Sequence, residues 1–418
     1  MISMYTKFSI ENSFLLLLGL LPLSIILGPS VSLSFILIIS LLFIYYSFKN
    51  KDWKWMDDKH IKILIILFVY LIVNSIFSVE SSLGISRNLG FVRYIILVAA
   101  VKHFLTKQKN YDFIFIFWTT IIIITCFDVF FEFIFGRNVL GYGELYGGRI
   151  VSFFKDEPVV GGYLLPFFFL IAGFLFYKIK NANIFIKLLS FAIPTIIFFS
   201  IFLSGERANS FKALIGMIIF ILFLKFGNLK KKMIAMLLII SVLLITIFNS
   251  SFLKHRFYYQ FTGEGAKSPL SFLLKDYTVH YKTGIKIFKD YPLFGVGNKN
   301  FGYVCFRDYP PEKTGIGCIN HPHQIYFELL SEHGIIGTAV ILLIFFYFFV
   351  INLKSYLRNK NEIHLGSIIY FFLTFLPLIP SGSFFGSFNS TLFWLNFSFM
   401  LSFRGKKMLD NTRFNEKI

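Results

Sequence analysis

The sequence predicts an all-α fold, a polytopic integral membrane bundle of about 12 transmembrane helices with one long periplasmic loop that carries short amphipathic helices. Three observations lead there. Hydrophobic residues make up 56% of the 418 positions, beyond the apolar share of a soluble domain. Uncharged apolar runs recur along the whole length, each close to the roughly 20 residues that a helix needs to cross a bilayer core. The runs do not alternate polar with apolar positions, as barrel strands would.

In chain order the runs lie near 12–28, 31–48, 63–79, 89–101, 112–135, 161–177, 185–203, 211–224, 233–249, 335–353, 365–381 and 387–403. The first follows a single lysine and no small-residue cleavage pattern, and another run succeeds it at once, so it reads as a retained helix. The formal charge of +19 could mark nucleic acid, anionic lipid or membrane topology. Position decides among them, because lysines and arginines cluster in alternate short loops: 49–62, 102–109, 178–187, 225–232, 354–360 and the tail from Arg404. Under the positive-inside rule those loops and both termini face the cytoplasm, and no nucleic-acid partner is expected. Three parts follow: an N-terminal bundle over 1–249 of about nine helices, a loop region over 250–334, and C-terminal helices with a cytoplasmic tail over 335–418.

The loop region is too long for a mere connection and should hold function. Within it, "DYTVHYKTGIKIFKDYPLFGVGNKNF" places Val279, Thr283 and Ile287, with Ile285 and Phe288, at the spacing of an amphipathic helix that ends before Pro292. "FGVGNKNF" is a glycine turn without the strand or the Lys-Ser/Thr of a phosphate loop. Cys126 sits inside a span, whereas Cys305 and Cys318 fall in the external segment, where a bridge between them would survive. A metal site would need two further ligands at regular spacing, and none follows.

Four arginines stand out on the external side or within a span: Arg87, Arg93, Arg149 in a glycine-rich loop, and Arg207 in the tight turn "LSGERANSFKAL". A charge in hydrocarbon costs about 2.5–3.5 kcal/mol, so such residues have partners or line wet cavities. Arg93 or Arg207 could neutralise Asp128 or Glu132, which share a helix face. The other reading is a phosphate clamp, since guanidinium forks grip phosphate oxygens bidentately. Asn320 to Gly337, "NHPHQIYFELLSEHGIIG", sets His321 and His323 around Pro322, which suits the first turn of a helix capped by Asn320 or His321. An imidazole there can accept a proton from a sugar hydroxyl, or hydrogen-bond at a cap. Glu328 and Glu332, one turn apart, could orient it or simply face solvent.

These residues resemble the "HPHN" signature of the bacterial O-antigen ligase and polymerase superfamily. "IFKDYPLFGVGNKNF" is similar to the segment before that signature, "LSGERANSFKAL" to the family's arginine turn, and "GGRIVSFFKDEPVVGGYL" to its glycine loop. The resemblance implies a cofactor-free, metal-independent glycosyltransferase of the bacterial inner membrane. It would move a glycan from undecaprenyl diphosphate to lipid A core (ligase) or to a lipid-linked repeat (polymerase) on the periplasmic face, among membrane lipids. His323 would be the base, oriented by His321 or Glu328, with Arg207 and Arg149 on the diphosphate. Gln324 replaces the family's asparagine, and "YTVHYK" lacks the arginine many members carry, leaving Lys282, Arg93 and Arg256 as further substrate-binding candidates, with Arg256 the substitute. A lipid-linked glycan flippase is the reading from another class, although the halves of the chain show no paired symmetry.

Overall fold

The structure is a computed structural model that describes residues 9–143, 148–155, 157–179, 182–225, 227–259, 269–309 and 318–406, with backbone only for 269–276. The expected cytoplasmic ends lie largely outside the described residues. Helices account for 78% of the described residues, and no strand occurs among them. In order they are α1 (Ile10–Gly19), α2 (Leu21–Leu27), α3 (Pro29–Asn50), α4 (Lys59–Ile76), α5 (Ser81–Leu89), α6 (Val92–Phe104), α7 (Gln108–Phe135), α8 (Val160–Lys178), α9 (Ile184–Leu203), α10 (Arg207–Phe223), α11 (Leu229–Asn249), α12 (Ser251–Lys254), α13 (Pro269–Asp290), α14 (Phe301–Asp308), α15 (Ile325–Asn359), α16 (Glu362–Thr374) and α17 (Ser387–Ser402).

Every predicted apolar run is largely helical, so the chain is an all-α polytopic membrane protein. Eight helical stretches among the described residues are long and apolar enough to cross a membrane. Twelve crossings are not established, because α1, α2, α10, α16 and α17 have 10, 7, 17, 13 and 16 residues. A full crossing asks for about 20. Helix α8 is buried nearly all round, as an apolar helix without a polar stripe must be. Its contact with α16 is close because Gly173 and Gly366 face backbone, where a Cβ would stand 2.5 Å from the Glu362 oxygen and 2.1 Å from the Phe169 oxygen respectively.

The basic loops gather at one end. Lys102 Nζ donates to Asp58 Oδ2 at 2.5 Å, Arg404 Nη1 approaches His60 Nε2 at 2.7 Å, and the Gly405 amide donates to Ser355 Oγ at 3.1 Å. The Tyr356 hydroxyl donates to the Phe223 carbonyl at the far end of α10, so Arg207 at the start of that helix stands at the opposite end of the bundle.

The loop region forms a small second core of Ile287, Val296, Phe301, Val304, Cys305 and Tyr309. Cys305 and Cys318 are joined by a disulfide. The amphipathic helix exists as α13, and it turns inward by Tyr281, Thr283 and Ile287. Val279 and Ile285 remain 38% and 40% exposed, because α13 docks on α15 through the stack of Tyr281 on Phe327, with ring centroids 4.7 Å apart.

Between α13 and α14 the chain passes through successive turns beside a break in α15. At Gly334 (φ 61°) the helix leaves helical geometry. The Val296 and Gly297 amides donate to the Ser331 and Glu332 carbonyls at 2.9 and 2.8 Å, and the Ile335 and Ile336 amides donate to Pro292 and Leu293 at 2.8 and 3.2 Å. Four backbone groups freed by the break are thereby satisfied by the "PLFGVG" stretch. A Cβ at Gly334 would lie 2.4 Å from the Leu293 carbonyl carbon, and one at Gly295 2.4 Å from the Glu332 carbonyl carbon.

Gly334→Ala should therefore lower the thermal unfolding midpoint in detergent by more than Gly141→Ala does. Gly141 also has positive φ, but open space surrounds it. Backbone strain alone accounts for about 1–2 kcal/mol at either position. Equal shifts would show that the close contact at the break carries no energy.

Candidate active site

Two buried carboxylates shape one wall. Asp128 and Glu132 sit one turn apart on α7 and accept from the loop that follows: Asp128 from the Val139 amide at 3.0 Å and Ser152 Oγ at 2.6 Å, Glu132 from the Val151 and Ser152 amides at 3.0 and 2.6 Å. The ion pair with Arg93 or Arg207 that the sequence allowed is not formed, because these carboxylates fold the glycine loop back onto α7. Arg149, carried on that loop, donates Nη2 to the Pro158 carbonyl at 2.9 Å. The next amide, Ile150, bonds the Ser204 carbonyl at 3.3 Å and ties the loop to the arginine turn.

That turn bends at Gly205 (φ 73°), where a Cβ would meet the Phe252 ring at 2.6 Å. Arg256, in the π-turn His255–Tyr259, donates Nε and Nη2 to the Gly205 carbonyl at 3.2 and 3.0 Å. Glu206 accepts from the Gly161 and Gly162 amides at 2.6 and 3.2 Å and from Asn209 Nδ2 at 2.6 Å. Helix α8 has no side-chain cap of its own, so Glu206 caps it from another segment. Burial raises the Glu206 carboxyl above its usual range, against the lowering pull of Arg149 and these bonds.

Opposite stands the histidine turn. α15 begins only at Ile325, and its cap is Gln324, whose Oε1 accepts from the Tyr326 and Phe327 amides at 2.7 and 3.2 Å. The expected cap at Asn320 or His321, with Pro322 in the first turn, is thus displaced. Gln324 is committed to the helix end and does not line the cavity described below. His323 takes the left-handed conformation (φ 55°), and its carbonyl accepts from the Ser381 amide at 2.8 Å. Its ring lies 4.2 Å from that of His321, 5.6 Å from His280 and 5.5 Å from Tyr277, centroid to centroid.

Burial, and then the neighbouring His280, hold His323 below the ordinary imidazole range, with a hydrogen bond to the Ser381 backbone opposing. His321 is pushed down to about 4 by burial and by His323, Lys299 and His280. Glu328 does not touch either ring. Its carboxylate accepts from Ser383 Oγ at 2.5 Å and the Phe384 amide at 2.9 Å, so it fixes the loop that in turn holds the His323 backbone.

The two walls face one cavity of about 1030 Å³, lined among others by Arg149, Glu206, Arg207, Lys212, Arg256 and His323. Tyr277, Ser381 and Asn389 add polar groups, and α10, α11 and α16 supply an apolar side. His321 stands behind His323 and off this lining. Arg93 is elsewhere, its guanidinium 5.1 Å over the Tyr94 ring, and Lys282 is exposed on the outer face of α13. Four residues of the site escaped the sequence reading. His280 and Tyr277 share the inward face of α13 at a three-residue spacing, a signal that was present, while Glu206 and Lys212 stood beside the arginine already chosen.

Fold and cavity define a class: a polytopic helical membrane protein with arginines and an imidazole around one chamber at the end opposite its basic loops. Residues 189–342 match the family model described as O-antigen ligase, which places that region in the O-antigen ligase and polymerase superfamily. No curated protein matches the chain. At that coarse level the match supports a membrane glycosyltransferase of the ligase or polymerase type that acts on lipid-linked glycans.

Removing the Glu206 carboxylate strands the Gly161 and Gly162 amides, and an unsatisfied buried group costs about 1–3 kcal/mol. Glu206→Ala is expected to lower the unfolding midpoint in detergent and to weaken glycan transfer as α8 and the arginine turn separate. Unchanged stability would mean that α8 needs no cap from this side chain.

Proposed function

We propose that the chain is an O-antigen ligase-type transferase that moves a glycan from undecaprenyl diphosphate to a hydroxyl of lipid A core on the periplasmic face of the inner membrane. The observation that carries the reading is the shared cavity of Arg207 and His323. Arg207, with Arg149 and Arg256 beside it, holds the diphosphate and stabilises the charge that grows on it as the glycosidic carbon–oxygen bond breaks. The acceptor oxygen attacks the anomeric carbon, its proton passes to the His323 ring, and the lipid diphosphate leaves with the bonding pair. A depressed imidazole is neutral at pH 7 and so free to take that proton. The end carrying the basic loops supports a cytoplasmic assignment for those loops, which leaves the cavity at the periplasmic end.

One assay separates the two acceptor classes. Purified protein would be given labelled lipid-linked glycan with lipid A core or with a second lipid-linked repeat. Transfer to core identifies a ligase, chain growth a polymerase, and no new bond with either acceptor refutes the enzyme.

His323→Ala and Arg207→Ala should each lower transfer at least about 10²-fold with membrane insertion intact. The pH profile carries a sign. Because the folded imidazole at 323 titrates below its ordinary value, kcat/KM should hold as pH falls through about 6.5 and decline only on the acid side of it. Replacing His280 with Phe removes the repulsion of a second imidazole, and the acid limb should then move to higher pH. An unmoved limb would mean that another group sets the profile.

A further inference from the structure

The cavity holds a cation that the donor-binding set above does not use. Lys212 follows Arg207 by five residues on α10, about 7.5 Å deeper along the helix axis. It is 7% exposed and faces the chamber. No charged neighbour and no hydrogen bond acts on it among the described residues. Its neighbours on the lining are Phe211, Leu214 and Ile215, with Leu243 and Leu244 from α11 across the gap. Among the described residues, the charged side chains of the lining are Arg149, Arg207, Lys212, Arg256 and Glu206, the last already committed to α8. A buried ammonium without a counterion opposes folding, and such a group persists where it does work on a ligand. Its side chain leans toward the N-terminus of α10, and therefore toward Arg207.

We propose that Lys212 is a phosphate-binding residue, positioned where the polar mouth of the cavity meets its hydrocarbon wall to hold the phosphate of an anionic lipid headgroup from below while Arg207 holds it from above. The lysine suits that depth. A flexible stem crosses the apolar layer and delivers a point charge, whereas a guanidinium fork would have to desolvate more donors there. The assignment rests on the donor reading, in which the ligand is a lipid diphosphate. It adds the boundary at which the headgroup stops and the chain begins.

The test uses purified full-length protein in detergent, as wild type, Lys212→Met, Lys212→Arg and Arg207→Ala. The probes are farnesyl diphosphate, inorganic pyrophosphate and farnesol. Without ligand, Lys212→Met should unfold at the wild-type temperature or above it, since an apolar side chain of similar size replaces an uncompensated charge. Its affinity for farnesyl diphosphate should fall about tenfold, the loss of one charge-assisted contact, with Lys212→Arg closer to wild type and farnesol unaffected by any substitution. A loss confined to farnesyl diphosphate identifies a lipid headgroup as the occupant, and an equal loss with pyrophosphate identifies a bare phosphate; both support the assignment. Wild-type affinity in Lys212→Met beside weakened binding in Arg207→Ala overturns the role of Lys212 alone. Wild-type affinity in both variants overturns the donor reading with it, and a destabilised Lys212→Met with unchanged affinity makes the lysine structural.

Discussion

The break in α15 at Gly334 is the constraint on which the site depends. A helix that enters the bundle from the histidine turn would, if continuous, leave the amides of buried Val296 and Gly297 without the carbonyls they bond. Opened at one glycine, it offers two carbonyls and two amides to that stretch and receives four hydrogen bonds in return. This is why a "PLFGVG" block and an "EHGIIG" block occur in one chain: each completes the backbone of the other. Through that joint α13 is held against the first turns of α15, which brings His280 and Tyr277 to the ring of His323.

Buried carboxylates do the organising on both walls. Asp128 and Glu132 gather the glycine loop, Glu206 caps α8, Glu328 holds the loop before α17, and Glu332 accepts from the Phe301 amide at 3.2 Å. Each spends its charge on backbone N–H groups, where a carboxylate makes bonds stronger than neutral ones. A consequence for function follows. With its acids turned to scaffold duty, the chamber is lined among the described residues by more cationic than anionic side chains, which suits the anionic donor proposed above.

Much of the fold was legible because apolar runs and alternate basic loops are direct imprints of a bilayer and its sidedness. Of the site, the arginine turn and the histidine pair could be read, as both place unusual side chains in short polar segments. The roles of Gln324 and Glu328 could not. Whether a polar side chain faces a ligand or a backbone amide is decided by tertiary neighbours such as Ser383 and Phe384, which lie 55 and 56 residues away from Glu328. Lys282 misled for a related reason: on a helix, two residues of separation put a side chain on the opposite face, so the neighbour that points inward is His280. Twelve crossings are not established for a related reason, since apolar runs also build short helices such as α16, buried by protein as well as by lipid.

The choice between the two signature imidazoles follows from backbone geometry. Pro322 fixes its own φ and restrains the residue before it, so His321 is held in place off the cavity lining. His323 escapes into the left-handed region, a conformation that costs a non-glycine residue of order 1–3 kcal/mol and persists only where surroundings enforce it. Here the enforcement is visible in the Ser381 amide on its carbonyl and in Gln324 starting the helix immediately afterwards. What that geometry achieves is placement: the ring of 323 lines the cavity, while those of 321 and 280 lie against it and off the lining. Partial burial and the neighbouring imidazole of His280 resist its protonation, and resisting it keeps the ring a proton acceptor.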